Sequence, residues 1–212
     1  MTPLNEFARL GVATVYEASG RVGLVDIALH QIVPGSRVAG PARTVRCAQD
    51  DNLMVHAVLA TVEPGEVLVL TMPEPAPVAL VGELLATQAL AHKVAGLLID
   101  ASVRDVEELR ALGLPIWARF IRVRGAQRGA LGEINVPVEM GGTTVHPGDI
   151  VVIDADGAVV VARERADEVL AKSLAREKSE ADKRAKFQAG TLSIDEYGLR
   201  AQVAAQLQPK TS

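Results

Sequence analysis

The sequence predicts an α/β fold, because segments of strand-like and helix-like hydrophobic periodicity alternate along most of its 212 residues. Hydrophobic residues make up 49 % of the chain and aromatic residues only 3 %, so we expect a core of Val, Leu, Ile and Ala between strands and helices. This length suits one substantial core, or one core with an arm, whereas two full domains would be tight. We therefore expect a single α/β core at residues 1–165 and a C-terminal helical arm at residues 166–212.

The first part of the core alternates between helices and strands. Residues 3–20 predict a helix with breaks, and Pro-Gly turn signals within residues 31–41 separate short strands. The apolar stripe of residues 53–62 predicts a second helix, which Asp50 or Asp51 can cap.

The middle of the chain continues this alternation. The segment "EPGEVLVLTM" is a turn followed by a strand, and "VGELLATQALAHKVAG" is a helix that Gly96 is expected to close. The next segment, "LLID", is a buried strand, and residues 105–113 form a helix that ends at Gly113.

The last part of the core is dense in Val and Ile and is expected to be antiparallel. Turn signals at Gly141-Gly142 and Pro147-Gly148 divide its strands. Asp156-Gly157, between "IVVI" and "AVVV", is a hairpin signal.

The composition changes from Ala166 onward. A helix rich in Glu, Lys and Arg with a thin apolar stripe is typical of a solvated surface or an arm. In the next helix, Ser193 and Glu196 have the spacing of a capping box, and Leu192 and Tyr197 that of a hydrophobic staple.

The charge and the N-terminal sequence argue against two classes of partner. A net charge of −4 gives no electrostatic reason to expect nucleic acid or an anionic membrane. The N-terminal segment lacks the basic and apolar regions of a signal peptide, and no run of about 18 apolar residues occurs. A cytoplasmic location is the default expectation.

The cysteine and the histidines show no sign of a metal site. Cys47 is the single cysteine and is interpreted as a small buried hydrophobic residue. His30, His56, His92 and His146 lack metal-ligand spacing and are interpreted as surface or satisfied core residues.

An adjacent cation and anion follow the buried strand in "GLLIDASVRDVEEL". Asp105 fits a helix N-cap that needs no function, and Arg104 can pair on the surface with Glu107 or Glu108. The pair nevertheless follows the carboxyl end of a strand, which is where α/β folds place ligand chemistry.

A second candidate element lies upstream, in "VGELLAT". Gly82 precedes a helix, so the backbone N–H groups of Glu83, Leu84 and Leu85 can be unpaired donors that bind a carboxylate or phosphate. A plain helix start with a first-turn acid explains the same residues. With Arg104 and a carboxylate for a hard cation, this element would make a site for a 2-oxo acid.

These two elements carry a resemblance to a known family. "VGELLATQALAHKVAGLLIDASVRDVEELRALGLPIWAR", followed by "NVPVEMGGTTVHPGDIVVIDADGAVVV", resembles the family of class II 4-hydroxy-4-methyl-2-oxoglutarate / 4-carboxy-4-hydroxy-2-oxoadipate aldolases and the regulator of ribonuclease E activity A. The resemblance covers most of the chain. The tail "KRAKFQAGTLSIDEYGLR" also resembles the C-terminal extension of the aldolase branch, which the shorter regulator branch typically lacks.

The resemblance implies a layered β/β/α-type sandwich core and an assembly of homotrimers or dimers of trimers, with sites between subunits. It implies that Asp105 holds a divalent metal, Mg²⁺ or Mn²⁺, largely through a water-rich shell. It also implies that Arg104 binds the 2-oxo acid and its developing enolate.

The resemblance also assigns roles to the upstream element and to the arm. The helix start at Gly82 would present the N–H groups of Leu84 and Leu85 to the pyruvyl carboxylate. Glu83 and, from a neighbouring subunit's arm, Glu180 would hydrogen-bond the metal's waters. Glu177 lies three residues from Glu180 and is an alternative to it, and a solvated salt bridge explains either residue equally well.

The implied activity is a metal-dependent retro-aldol cleavage that releases pyruvate, with decarboxylation of oxaloacetate as a side activity. Two alternatives stay open. The chain can be a non-catalytic regulator that binds a ribonuclease, or a dedicated oxaloacetate decarboxylase or other 2-oxo acid lyase.

One departure from the family pattern concerns the strand before the charged pair. The family usually shows Asp-Gly where this chain has Asp100-Ala101-Ser102. If that glycine needed a positive φ, its loss would alter the loop and with it the substrate preference.

Overall fold

A computed structural model describes residues 2–207 and confirms the alternation of helices and strands. The helices are α1 (Pro3–Ala18), α2 (Leu53–Leu59), α3 (Glu83–Ala91), α4 (Val106–Leu112), α5 (Ala166–Gln188), α6 (Ser193–Glu196) and α7 (Arg200–Leu207). The strands are β1 (His30–Gln31), β2 (Val38–Arg46), β3 (Val67–Thr71), β4 (Ala79–Val81), β5 (Gly96–Val103), β6 (Ile116–Ile121), β7 (Glu133–Ile134), β8 (Val138–Met140), β9 (Thr143–Val145), β10 (Ile150–Asp154) and β11 (Gly157–Val161).

The main sheet has the order β1-β6-β5-β3-β2-β10-β11, with β4 beside β5 and β7 beside β2. Strands β2, β3, β5 and β6 are parallel neighbours, and α2, α3 and α4 lie in the connections between them. Strands β10 and β11 form an antiparallel hairpin at Asp156-Gly157 that continues the sheet beside β2. The predicted antiparallel second part of the core is therefore confirmed.

The sheet is buried on both faces. Along β3, Leu68 and Leu70 belong to a cluster with residues of α2, α3 and α4, whereas Val67 and Val69 belong to a cluster with residues of the separate β8–β9 hairpin. Because side chains alternate along a strand, the central strands separate a helical layer from a second β layer. The expected layered α/β core is thus observed.

Helix α1 contains the predicted break. Gly11 has a φ of 81°, outside the helical region, and the next N–H, of Val12, donates to Asp154 Oδ2 at 3.0 Å. A Cβ atom at Gly11 would lie 2.7 Å from the same carboxylate oxygen. This close approach joins α1 to the end of β10.

The expected end of α3 was wrong. Gly96 does not close α3, which ends at Ala91, but begins β5, where a Cβ atom would lie 3.2 Å from Pro115 O. The chain reverses earlier instead, at Lys93, which has a φ of 60°. A glycine at position 96 therefore admits a close backbone neighbour rather than terminating a helix.

The capping box in the arm was also wrong. Leu192 is the N-cap of α6 and Ser193 is already helical, and the cap makes no side-chain hydrogen bond. Glu196 accepts hydrogen bonds from Lys186 Nζ instead, at 2.8 Å and 3.0 Å. The Glu196 carboxylate is therefore paired with the Lys186 ammonium group and not with the backbone N–H group that it would bind in a capping box.

The chain forms two compact units, of which the first ends at Ser173 and the second begins at Leu174, inside α5. The expected division into residues 1–165 and 166–212 stays a prediction. No helix within residues 2–207 has both the length and the apolar character that crossing a membrane requires.

Candidate functional site

The two candidate elements meet because their strands are neighbours. Strand β4 pairs with β5 in parallel, with Val81 opposite Val103, and the N–H of Arg104 donates to Val81 O at 3.1 Å. The carboxyl ends of both strands therefore deliver Gly82 and Arg104 to one edge of the sheet, as the sequence predicted.

Asp105 does not cap its own helix. Its backbone is left-handed, with φ 59° and ψ 45°, and its side chain makes no capping bond to α4. Oδ2 instead accepts a hydrogen bond from the backbone N–H of Glu83, at 3.1 Å. The Asp105 carboxylate thus caps the first turn of α3, although Asp105 is not part of that helix. This hydrogen bond connects the start of α3 to the Arg104-Asp105 pair.

Arg104 lies against this carboxylate and between two glycines. Its Nε is 3.7 Å from Asp105 Oδ2, so it pairs with Asp105 rather than with the acids of α4. A Cβ atom at Gly82 would lie 2.5 Å from Asp105 Oδ2, and one at Gly125 would lie 2.6 Å from Arg104 Nη1. A side chain at either position would displace the charged group beside it, so both positions require glycine.

The first turn of α3 supplies the expected backbone donors. The N–H of Glu83 is used by Asp105, whereas those of Leu84 and Leu85 lie in a turn that has no intrahelical acceptors for them. The side chain of Leu84 is 82 % exposed. The Glu83 carboxylate accepts a hydrogen bond from Thr87 Oγ1 at 2.7 Å.

These groups line one cleft of about 180 Å³. Of the residues that the sequence singled out, it contains Gly82, Leu84, Leu85, Arg104 and Asp105. The Glu83 side chain is not part of the lining, although its backbone is bound to Asp105.

Four polar or glycine residues of the cleft were missed from the sequence. They are Asn52, His56, Gly125 and Arg128. His56 was interpreted as a surface or core residue, and the spacing of Asn52 and His56 on one face of α2 was the only available signal. Burial and then the charge of Arg128 lower the pKa of His56 from its ordinary value of 6.5, so its imidazole is neutral at pH 7.

The Asp105 carboxylate is suited to bind a hard cation, but residues 2–207 provide no complete set of protein ligands for a metal ion. Among residues 2–207, no group of three or more His, Cys, Asp or Glu side chains could hold a metal ion. Mg²⁺ commonly uses one or two protein carboxylates, with water and substrate completing its shell. Asp105 Oδ1 receives no hydrogen bond from the described residues, so this oxygen is open to such a cation.

Glu180 lies in the second unit, where its Oε1 pairs with Arg176 Nη2 at 2.7 Å. This is the helical salt bridge that sequence analysis left open, and Glu177 also has an interaction partner. Whether the arm of a neighbouring subunit brings Glu180 to the site stays a prediction.

The condition under which Ala101 would alter a loop does not hold in this structure, and its effect on substrate preference stays a prediction. Ala101 lies in the extended strand β5, is fully buried, and is absent from the residues with positive φ. The preceding Asp100 is held by Arg119 Nη1 at 3.0 Å. No loop conformation depends on a glycine at position 101, because the left-handed residue of this segment is Asp105.

Comparisons with known proteins identify the family of the chain. A family model described as "RraA-like: Aldolase/RraA" matches residues 12–160. A protein of Halalkalibacterium halodurans named "Putative 4-hydroxy-4-methyl-2-oxoglutarate aldolase" is 29 % identical over 206 residues, covering 97 % of this chain and 96 % of that protein.

Two solved structures share the fold over most of their length. An uncharacterized protein from Pseudomonas syringae pv. tomato has a TM-score of 0.79 and 27 % identity, covering 90 % of this chain and 94 % of that one. Streptomyces coelicolor RraAS2, described as an unusual member of the RNase ES inhibitor RraA protein family, has a TM-score of 0.75 and 30 % identity, covering 86 % of this chain and 96 % of that one.

Proposed function

The chain belongs to the RraA-like family, and we propose that it acts there as a divalent-metal-dependent aldolase that releases pyruvate. The proposed substrates are 4-hydroxy-4-methyl-2-oxoglutarate and 4-carboxy-4-hydroxy-2-oxoadipate, which would yield pyruvate plus pyruvate or oxaloacetate. The observation that carries this proposal is the meeting of the α3 first turn, Arg104 and Asp105 in one cleft. The name of the Halalkalibacterium halodurans relative supports it.

Binding of the pyruvyl end follows from the donors at the start of α3. The N–H groups of Leu84 and Leu85 can bind the substrate carboxylate, and the helix dipole favours negative charge at this point. Arg104, which lies beside Gly82 at this helix start and lines the same cleft, would bind the C2 keto oxygen.

Bond cleavage creates negative charge that Arg104 can stabilise. As the C3–C4 bond breaks, its electron pair moves into the enolate of pyruvate, and the C4 hydroxyl becomes a carbonyl. The guanidinium donates hydrogen bonds to the enolate oxygen, where the new charge develops. A divalent cation held by Asp105 would supply Lewis-acid stabilisation of the same enolate.

The C4 hydroxyl must also lose its proton, and the enolate must gain one at C3. Glu83, next to Asp105 at the start of α3, is proposed to guide this proton through ordered water. Glu180 of a neighbouring subunit is proposed to share this role. Arg104 has a second use here, because it holds the keto oxygen in place while C3 is protonated.

The test is a retro-aldol assay of the full-length protein with 4-hydroxy-4-methyl-2-oxoglutarate, measuring pyruvate release. We expect activity that EDTA abolishes and that added Mg²⁺ or Mn²⁺ restores, because Asp105 alone cannot replace the lost Lewis acid. Asp105→Asn should lose the metal response. Full activity of the chelated protein would rule out the metal mechanism.

A non-catalytic regulator is the second candidate, and one observation favours it. Streptomyces coelicolor RraAS2, similar over most of both chains, is described as a member of an RNase inhibitor family. The same pyruvate assay separates the candidates, because a regulator would release no pyruvate with any metal.

An oxaloacetate decarboxylase, or another 2-oxo acid lyase, would use the same residues. Loss of CO₂ from oxaloacetate produces the same pyruvate enolate, so Arg104 and the α3 first turn would serve both reactions. Steady-state kcat/KM values for oxaloacetate, 4-hydroxy-4-methyl-2-oxoglutarate and 4-carboxy-4-hydroxy-2-oxoadipate rank these activities. We expect the two branched 4-hydroxy substrates to be preferred over oxaloacetate.

A further inference from the structure

The cleft has a second end that the proposed reaction does not use. The segment from Arg124 to Ala130 connects the two ends. Near Arg104 it follows β4, where the N–H of Ala79 donates to Arg124 O at 2.7 Å and that of Ala126 donates to Ala79 O at 3.3 Å. Gly125 in this stretch lies against the Arg104 guanidinium.

The same segment is then tied to the start of α2. The N–H of Gln127 donates to Asp50 O at 2.8 Å. The buried Asp51 carboxylate accepts hydrogen bonds from the N–H groups of Gly129 and Ala130, at 2.7 Å and 3.0 Å. Arg128 lies between these anchored residues, so its backbone is held beside α2.

Arg128 is a cation without an acidic partner in the described chain. Three other arginines in or near the segment are paired, namely Arg124 with Asp50, Arg119 with Asp100, and Arg46 with Glu133. Arg128 forms no ion pair within residues 2–207 and lines the cleft with His56. Because the segment around Arg128 is hydrogen-bonded to Asp50 and Asp51, just before α2, this positive charge belongs to the α2 end of the cleft.

Asn52 is a second polar residue at this end, and its hydrogen bonding is incomplete. Its side chain is only 9 % exposed and lines the cleft, and its Nδ2 donates to Leu80 O at 3.0 Å, which fixes the amide orientation. Its Oδ1 is buried and receives no hydrogen bond from the described residues. An unsatisfied buried acceptor costs free energy, and the O–H of a ligand would relieve that cost.

We propose that Arg128 binds the second carboxylate of the substrate and is the residue that selects 2-oxo diacids over 2-oxo monoacids. This inference rests on the proposed function, because it assumes that the pyruvyl end lies at Arg104 and the α3 first turn. The diacid then extends along the Arg124–Ala130 segment to the α2 end. Asn52 lines this end of the cleft, and a small rotation of its side chain would let the unpaired Oδ1 accept a hydrogen bond from the substrate hydroxyl.

The test compares two ligands that lack the cleavable C4 hydroxyl and differ at one end. 2-Oxoglutarate and 2-oxopentanoate have the same five-carbon chain, but only the first has a second carboxylate. Their affinities for the full-length protein are measured by calorimetry in excess Mg²⁺, for the wild type, Arg128→Ala and Arg124→Ala. The Arg124→Ala variant is the matched control, because that neighbouring arginine is paired with Asp50 and does not line the cleft.

The wild type should bind 2-oxoglutarate about tenfold more tightly than 2-oxopentanoate, as expected for one charge-assisted contact. Arg128→Ala should lose this preference while its affinity for 2-oxopentanoate stays unchanged, and Arg124→Ala should retain it. Equal binding of both ligands by the wild type, or a preference that survives in Arg128→Ala, overturns the inference and leaves the proposed function standing. A wild type that binds neither ligand overturns both.

Discussion

The left-handed backbone of Asp105 has a local cost that its ion pair with Arg104 does not offset. A left-handed backbone at a non-glycine residue costs about 1 kcal/mol. The Arg104–Asp105 pair is roughly half exposed and 3.7 Å apart, and such surface pairs contribute only about 0–1 kcal/mol. Strain of this kind is typical of functional sites, which agrees with the proposed role of the pair.

Gly125 provides a test of how much the position of Arg104 matters. Gly125→Ala places a Cβ atom within 2.6 Å of Arg104 Nη1, whereas a Cβ atom at Gly129 meets nothing within 4 Å. Because Nη1 is the tip of a flexible side chain, it should move with little loss of stability. Displacement of a catalytic group by about 1 Å can reduce turnover by about a hundredfold, so kcat/KM for pyruvate release should fall at least tenfold.

Gly129→Ala is the control for this substitution and should keep the kcat/KM of the wild type. The free energies of unfolding of both variants, measured in urea, should lie within about 0.5 kcal/mol of the wild type. Unchanged kcat/KM in Gly125→Ala would show that the contact between this loop and Arg104 is unimportant for turnover.

At the scale of the elements, the site depends on two neighbouring strand ends and one anchored segment. The β4–β5 pairing places the α3 start beside Arg104, and Asp51 anchors the segment that carries Arg128. Burial opposes the ionisation of Asp51, but hydrogen bonds from the N–H groups of Leu53, Gly129 and Ala130 outweigh it and hold its pKa below the ordinary 3.8. Asp51 is therefore ionised throughout the physiological range.

Asp51→Asn should destabilise the protein by about 2 kcal/mol at pH 7, because charge-assisted hydrogen bonds to backbone N–H groups are weakened. A depressed folded-state pKa gives stability that is complete above about 3.8 and is lost as the pH falls through the lower folded value. The difference between Asp51→Asn and the wild type, measured by urea unfolding, should therefore shrink at such low pH.

Asp50→Asn is the matched control for Asp51→Asn, since Asp50 is partly exposed and contacts Arg124 only weakly, at 3.8 Å. Its stability should stay close to that of the wild type at every pH. A full difference between Asp51→Asn and the wild type that persists well below pH 3.8 would contradict the assignment of the stabilisation to the charged carboxylate.

At the scale of the whole molecule, the surface near the cleft suggests contact with another copy of the chain. Leu84, Val123 and Leu131 are 82 %, 86 % and 82 % exposed, and exposed apolar groups of this size are often covered in assemblies. We expect homotrimers or dimers of trimers, in which the arm of one subunit brings Glu180 to the site of the next.

Mixed assemblies test this arrangement. Arg104→Ala and Glu180→Gln should each lose most of their pyruvate release, about a hundredfold for the arginine. Subunits of the two variants, unfolded together and refolded, should regain part of the activity, because some sites then combine an intact Arg104 with an intact Glu180. No recovery in assemblies shown by light scattering to be mixed would place both residues in one subunit's site or remove Glu180 from it.

Most of the fold was accessible from the sequence because its signals are local. The Asp156-Gly157 hairpin, an interruption within the first helix and the end of α4 at Gly113 each depend on a few neighbouring residues whose backbone preferences are strong. The position of that interruption, Gly11, was not predicted. Gly96 was misread because its reason, the closeness of Pro115, comes from a distant segment. A glycine alone does not reveal whether it serves a turn or a contact.

The same distinction applies to the site. Arg104 and Asp105 could be recognised because they follow a buried strand, and the α3 start because Gly82 precedes a helix pattern. Two features of the site could not be recognised from the sequence. Asp105 caps α3 rather than its own helix, and Asn52, His56 and Arg128 line the same cleft as Asp105. These residues lie 22 or more positions from Asp105 in the sequence. They are brought together by the pairing of β4 with β5 and by Asp51, which anchors the Arg124–Ala130 segment.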